Sequence, residues 1–257
     1  MAIDFHAHAN RYTYAGRQAA GDWPDAMRGL IDPTGMRVVD IGCGGGIYTA
    51  AWARLDAASV VGVDFSEQML AAARERNSGA NVTFRKGDAR ATGLADGCAD
   101  VVFSRAMIHH LDGLDDCLAE MHRLLVPAGL CIIQERTPED VELPGSPEHI
   151  RGYLFERFPR LLDVERGRRP TTAAVAQAFV RSGFPPPSGA TLWETRQVHR
   201  DGTGLADDLR GRTGRSILHE LDDAELETLI AFIGDRIPKG RPVVEKDRWT
   251  LWSASRD

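Results

Sequence analysis

Between an apolar run and a helix-forming one, residues 40–49 read Asp-Ile-Gly-Cys-Gly-Gly-Gly-Ile-Tyr-Thr. Glycine admits positive φ and lets a ligand approach backbone where a Cβ would stand, and the helix that follows offers unpaired N–H groups. That combination cradles a polar small molecule. Gly42, Gly44 and Gly46 are spaced G-x-G-x-G, whereas a dinucleotide fingerprint wants glycine at 47, where Ile47 stands, so a pyrophosphate is disfavoured. Two acids follow at the ends of expected strands. Asp64, 18 positions after Gly46, can accept two hydrogen bonds from a ribose, and Asp88 sits within Gly87-Asp88-Ala89. Alone, an Asp at a strand end is more often a turn or helix cap. His109 and His110 titrate near neutrality and suit proton removal; the plainer reading has one capping a helix and the other packing.

Such residues need strands that end side by side. The pattern predicts strands over Arg37–Ile41, Ser59–Asp64, Val82–Lys86, Ala99–Ser104 and Leu130–Gln134, with a turn at Pro127-Ala128-Gly129 before the last. Helices are predicted over Ile47–Leu55, Ser66–Asn77 and Asp115–Leu125, the last with Leu118, Met121, Leu124 and Leu125 on one face. Near-continuous apolar strands alternating with helices imply a parallel sheet covered on both faces, whose ligand sits beyond the strands' carboxyl ends. Further on, Thr171–Ser182 reads as a capped helix, Leu205–Arg210 and Asp222–Ile237 as helical, and Thr191–His199 with Arg248–Ser253 as an antiparallel strand pair. Asp22-Trp23-Pro24 starts an earlier helix, with Asp22 as its cap.

The chain has 257 residues and a net charge of −6, which opposes nonspecific attraction to nucleic acid. No run approaches the roughly 18 apolar residues needed to span a bilayer, and the first residues lack a signal-peptide pattern, so cytoplasmic residence is expected. Cys43, Cys98, Cys117 and Cys131 form no C-x-x-C pair, and neither a zinc site nor a disulfide framework is indicated.

Taken in order, the glycine loop with Asp40, then Asp64, Asp88-Ala89 and the segment Val101–Leu111 resemble the motifs of class I S-adenosylmethionine (SAM) dependent methyltransferases, over residues 37–135. The resemblance implies an α/β fold, a Rossmann-like seven-stranded sheet with six parallel strands and one antiparallel, helices on both faces and a helical substrate cap. It implies SAM as cofactor and S-adenosylhomocysteine (SAH) as product, held by Asp40, Gly42, Cys43 and Gly44, with the ribose on Asp64. Phe65 and Met69 would pack against the base, Gly87, Asp88 and Ala89 would read adenine, and Ser104 and Arg105 would lie beside the methionine portion. Tyr14 and Arg17 are the N-terminal pair expected to fold over SAM and bond its carboxylate; otherwise Tyr12 and Tyr14 pack a lid helix. One domain is expected, with a lid at 1–36, the SAM-binding core at 37–135, cap insertions at 137–170 and 201–240, and closing elements at 171–200 and 241–257.

Within that family, Ser104-Arg105-Ala106-Met107 is unlike the Asn/Asp-Pro-Pro-aromatic of amino-DNA enzymes, and Ser104 cannot supply the first ligand of metal-dependent catechol-type enzymes. Ala106–Leu111 resembles instead the loop of small-molecule methyltransferases related to the ubiquinone and trans-aconitate enzymes. Metal-independent SN2 transfer to a small molecule is therefore expected, with His109 or His110 as candidate base. The arginines at 166, 168, 169, 210, 212 and 215 either converge on the pocket, implying an anionic substrate or RNA, or form a solvated face paired with Glu165, Asp207, Asp208 and Glu220. Two other classes stand beside this reading, a SAM-binding regulatory domain without turnover and an NAD-linked oxidoreductase. Asp4-Phe5-His6-Ala7-His8 resembles the metal-binding H-x-H of amidohydrolases, but the later strand ends carry the SAM series instead.

Overall fold

A computed structural model describes residues 19, 21–77, 79–212 and 214–257. Seven strands, β1 (Arg37–Ile41), β2 (Ser59–Asp64), β3 (Val82–Lys86), β4 (Ala99–Arg105), β5 (Leu125–Glu135), β6 (Ser188–His199) and β7 (Val243–Ser255), form one sheet in the order β3-β2-β1-β4-β5-β7-β6. Only β7 runs against the others, pairing antiparallel with both β5 and β6. The expected six-plus-one sheet is therefore present. Chain direction across the sheet reverses beside β1, because β2 and β3 build to one side and β4 and β5 to the other; that is where an open α/β sheet leaves a crevice at its carboxyl ends.

Alternation explains the apolar strands. Val38, Val101 and Phe103 pack on one face against Trp52, Trp23 and Met27, while Val39, Val102 and Ile133 pack on the other against Met121, Leu124 and Phe179. Successive side chains point to opposite faces, so a strand covered on both sides has to be apolar throughout. The covering helices are α1 (Asp22–Leu30), α2 (Ile47–Ala53), α3 (Glu67–Arg76), α4 (Asp115–Leu124) and α8 (Thr172–Arg181). Trp23 anchors α1, meeting Tyr48, Trp52 and Phe103 edge-on at centroid distances of 5.1, 5.3 and 5.6 Å, contacts worth about 0.5–1.5 kcal/mol each beyond their buried area.

A second apolar core belongs to the cap. The helices α5 (Pro138–Val141), α6 (Ile150–Arg157), α7 (Arg160–Arg168), α9 (Gly202–Arg210) and α10 (Asp223–Gly234) bury Leu154, Leu161, Leu209, Leu229 and Ile233 against one another. Residues from 137–170 and from 201–240 thus share one core although the two stretches are separated in sequence.

Three expectations at the element level need correction. Asp22 does not cap α1: Gly21 holds the cap position, and the Asp22 carboxylate instead accepts from Thr195 N and Oγ1 on β6 at 2.9 and 2.8 Å. Pro127-Ala128-Gly129 does not precede β5 but lies inside it, with Ala128 at φ 63° where the pairing with β4 shifts register. The closing strands are longer than expected, since β6 and β7 pair along nearly their whole length.

Candidate functional site

The turn after β1 is fixed by hydrogen bonds to β2. Gly42 N and Cys43 N donate to Val63 O at 2.8 and 3.0 Å, and Gly44 N donates to Asp64 Oδ2 at 2.9 Å. Gly42, Gly44 and Gly46 all have positive φ. They differ in what a side chain would meet. A Cβ at Gly42 would fall 2.3 Å from Met107 Cγ and one at Gly46 2.7 Å from Asn77 Nδ2, whereas one at Gly44 would meet nothing within 4 Å. The open side of Gly44 belongs to a cavity of about 540 Å³ at the carboxyl ends of the strands.

The expected site residues converge on that cavity with one exception. Asp40, Gly42, Cys43, Gly44, Asp64, Phe65, Met69, Gly87, Asp88, Ala89, Arg105, His109 and His110 all line it. Ser104 does not: it is buried inside β4, its Oγ has no hydrogen-bond partner among the described residues, and strand alternation sends Arg105 to the cavity instead. Tyr14, Arg17 and the 4–8 segment lie outside the described residues.

Each acid has a different environment. Asp64, held by Gly44 N on one oxygen and by Ser66 N at 2.9 Å on the other, is oriented by backbone donors. Asp40 is buried and accepts from Thr49 Oγ1 at 2.6 Å; burial pushes its carboxyl up to about 7. Asp88 is half-exposed and gripped by Arg90 through N, Nε and Nη2, which brings its carboxyl down to about 2. Phe65, 49% exposed, and the buried Met69 both line the cavity.

His109 stacks on His110 with ring centroids 3.9 Å apart, and a carboxylate orients it. Its Nδ1 lies 2.7 Å from Oε2 of the fully buried Glu135, whose Oε1 accepts from Arg169 Nη1 and Arg136 N at 2.8 and 2.9 Å. Burial alone would raise the Glu135 carboxyl, but His109 and Arg169 outweigh it and hold it below the usual range. Burial also lowers His109, so the ring is neutral at neutral pH; facing an acceptor-only carboxylate, Nδ1 carries the proton and Nε2 keeps its lone pair. Burial and the adjacent His109 push His110 down to about 3.

The opposite wall is cationic. Arg105 donates from Nη2 to Glu194 at 2.9 Å and stacks on Tyr48 and Trp249, 4.2 and 3.9 Å from their ring centroids. Gln134 ties Glu194 to Trp23, donating at 2.7 Å and accepting at 2.9 Å, so Arg105 is positioned from α1. Arg136, Arg151, Arg169 and Arg215 complete the wall. Of the two arginine clusters marked in the sequence, Arg169 and Arg215 reach the cavity, while Arg166, Arg210 and Arg212 pair with Glu142, Glu227 and Asp223. Glu135, Arg136, Arg151, Glu194 and Asp247 are missed by sequence reasoning. Glu135 and Arg136 follow Gln134 at the end of β5, so the strand-end criterion that found Asp64 would have reached them. His199, Asp208 and Glu245 also bring ligand-type atoms within 4.8 Å of one another, but Arg196 and Arg215 already neutralise those two carboxylates.

Residues 39–133 match the family model described as "Methyltransferase domain". The ubiquinone biosynthesis O-methyltransferase of Roseobacter denitrificans is 35% identical over 150 residues, 56% of this chain and 60% of that one, and that of Ruegeria pomeroyi 37% identical over 134, covering 50% and 53%. The chain thus spans a little over half the length of these curated relatives. Among solved structures, an S-adenosylmethionine dependent methyltransferase from Mesorhizobium loti superposes with a TM-score of 0.53 at 22% identity, covering 92% of this chain and 98% of that one. Topology, motif order and sequence likeness agree: residues 39–133 form a methyltransferase domain, within a chain that has the class I SAM-dependent methyltransferase fold.

Proposed function

We propose that the protein transfers a methyl group from SAM to a small-molecule acceptor. One observation carries this reading: the ends of β1, β2, β3 and β4 deliver the glycine loop, Asp64, Asp88-Ala89 and His109 to a single cavity. The residues present fit the cofactor. Gly44 leaves open the space a Cβ would fill, beside a carboxylate already fixed by two backbone donors, and a carboxylate's roughly four acceptor sites leave room for ribose hydroxyls. Asp64 would hold the ribose, Phe65 and Met69 would pack on the base, Asp88 and Ala89 would read its edge, and Arg105 would stand beside the methionine end. When bound, SAM supplies an electrophilic methyl for in-line displacement.

The chain's own tasks are then positioning, exclusion of water and proton removal. His109 is the base in this reading: neutral, with Nδ1–H on Glu135, it offers Nε2 to an acceptor's O–H or N–H. His110, at about 3, is too weakly basic for that role near neutral pH. The guanidiniums of the cap wall support an acceptor bearing an anionic group. We place the reaction in the cytoplasm, where the four free cysteines stay reduced; among the described residues no helix is long and apolar enough to cross a membrane.

Calorimetric titration with SAM, SAH and NAD, followed by incubation of cell extracts with methyl-labelled SAM, tests the reading. SAM and SAH binding with label transfer supports it. Binding without transfer to any extract component favours a regulatory SAM-binding domain, and NAD binding alone overturns the assignment.

A further inference from the structure

Around the cavity nearly every guanidinium has a carboxylate of its own. Arg105 is matched by Glu194, Arg168 and Arg169 by Glu165 and Glu135, and Arg196 and Arg215 by Asp208 and Glu245. Arg136 and Arg151 are different. They share Asp247, with Arg136 Nη1 at 3.3 Å and Arg151 Nε at 2.9 Å, and both line the cavity. Their exposures are 8% and 6%, so solvent does little to screen the surplus charge. Arg136 Nε is buried and donates to nothing among the described residues. Trp249 fixes the plane of this guanidinium, its ring centroid 4.4 Å away. Burial, with Arg151 and Arg169 nearby, pushes Arg136 down to about 9, the direction expected where cations outnumber anions.

Two buried cations that share one counter-ion are destabilising unless something offsets the surplus charge, and an oxyanion seated against two guanidiniums does so through charge-assisted, often bidentate hydrogen bonds. We propose that Arg136 and Arg151 form a subsite for an oxyanion of the acceptor, a carboxylate or a phosphate. The subsite deepens the methyltransferase reading and rests on it for the acceptor's role. Arg136 directly follows Glu135, which carries His109, so the subsite and the candidate base hang from the same strand end. An acceptor gripped there by its anionic end would be oriented relative to His109.

The test is calorimetric titration of the full chain, with and without saturating SAH, using succinate, its neutral diamide and inorganic phosphate as probes. Wild type is expected to bind at least one anion about tenfold or more tightly than the diamide, and Arg136→Gln and Arg151→Gln each to weaken that anion about tenfold while SAH affinity stays unchanged. Preference for succinate assigns a carboxylate acceptor, preference for phosphate a phosphate ester. The proposal is overturned if wild type binds neither anion better than the diamide, a comparison that needs no variant, or if a folded Arg136→Gln binds anions like wild type. Absence of SAH binding would sink the methyltransferase reading alone, because the anion titration without SAH is read independently.

Discussion

Glycine and carboxylate make the wall at the ends of β1, β2 and β3; arginine and histidine make the wall formed by β4, β5 and the cap. The first is local. Its acids are held by groups within 20 residues, Asp64 by Gly44 N and Ser66 N, Asp88 by Arg90. The second is assembled from a distance, with Arg136 and Asp247 separated by 111 residues, Arg151 and Asp247 by 96, and Arg105 and Glu194 by 89. A wall set by backbone geometry is a mould of fixed shape. A wall set by long-range ion pairs can be recharged by single substitutions while the sheet stays as it is. One chain can thus keep a cofactor site and change its acceptor.

The largest effect should come from filling the mould. Gly44→Val puts a branched side chain into the open space of the cavity at φ 52°, so SAM and SAH binding should be abolished. The strain should cost about 1–3 kcal/mol of stability, leaving a folded protein by circular dichroism. A folded variant that still binds would remove the glycine turn from the site. Next is turnover. His109→Ala should lower kcat by about 10²–10⁴-fold if His109 takes the acceptor's proton. Because burial lowers its pKa, wild-type activity should fall on the acid side only below about 6.5, where His109 becomes protonated. That limb should vanish in His109→Ala and persist in His110→Ala. Identical profiles in all three proteins would end the general-base reading.

These two tests probe what the sequence made legible. Asp40, Gly44, Asp64 and Asp88 could be read because each sits at or just past the carboxyl end of a strand, and in a parallel sheet those ends face the same crevice. His109 was legible by the same logic, whereas its Glu135 partner was missed although it directly follows Gln134 at the end of β5. Arg151 and Asp247 had no local signal, since Arg151 lies in α6 and Asp247 within β7, and their meeting depends on how the cap docks. The six arginines marked by clustering divide, since Arg166 and Arg210 lie on exposed helix faces beside Glu142 and Glu227 while Arg169 and Arg215 are buried and reach the cavity. Ser104 failed for a simpler reason: one residue's difference along β4 turns a side chain from cavity to core.

Asp64→Ala removes an acceptor from the ribose and also releases Gly44 N and Ser66 N, so SAM affinity should fall by on the order of 2–3 kcal/mol. Unchanged affinity would place Asp64 in the turn's architecture alone. Asp40 should contribute less and only to the charged cofactor. Its carboxyl, at about 7, gains negative charge as pH rises through that value, and SAM carries a positive sulfonium that SAH lacks. The ratio of SAM to SAH affinity should therefore rise by up to about tenfold between the acid and alkaline sides of pH 7, and Asp40→Asn should flatten it. A flat ratio in wild type would separate Asp40 from the sulfonium.

The smallest effect discriminates most finely within the local wall. If Asp88 reads the adenine amine, Arg90 competes for the same carboxylate, since its Nε and Nη2 occupy both oxygens at 2.9 and 2.8 Å. With the side chains of Arg90 and Asp88 at 52% and 46% exposure, solvent screens their attraction and the pair contributes little. Arg90→Gln should then leave stability nearly unchanged. It should tighten SAM and SAH equally and only by a small factor, because a competitor so exposed to solvent gives up little when removed. Asp88 stays ionised at neutral pH with or without Arg90, as its ordinary value is 3.8, so no change in pH dependence should accompany the gain. An unchanged affinity in Arg90→Gln, together with an unchanged affinity in Asp88→Asn, would make this pair a brace for the turn after β3 and leave adenine recognition to the backbone of Ala89 and the ring of Phe65.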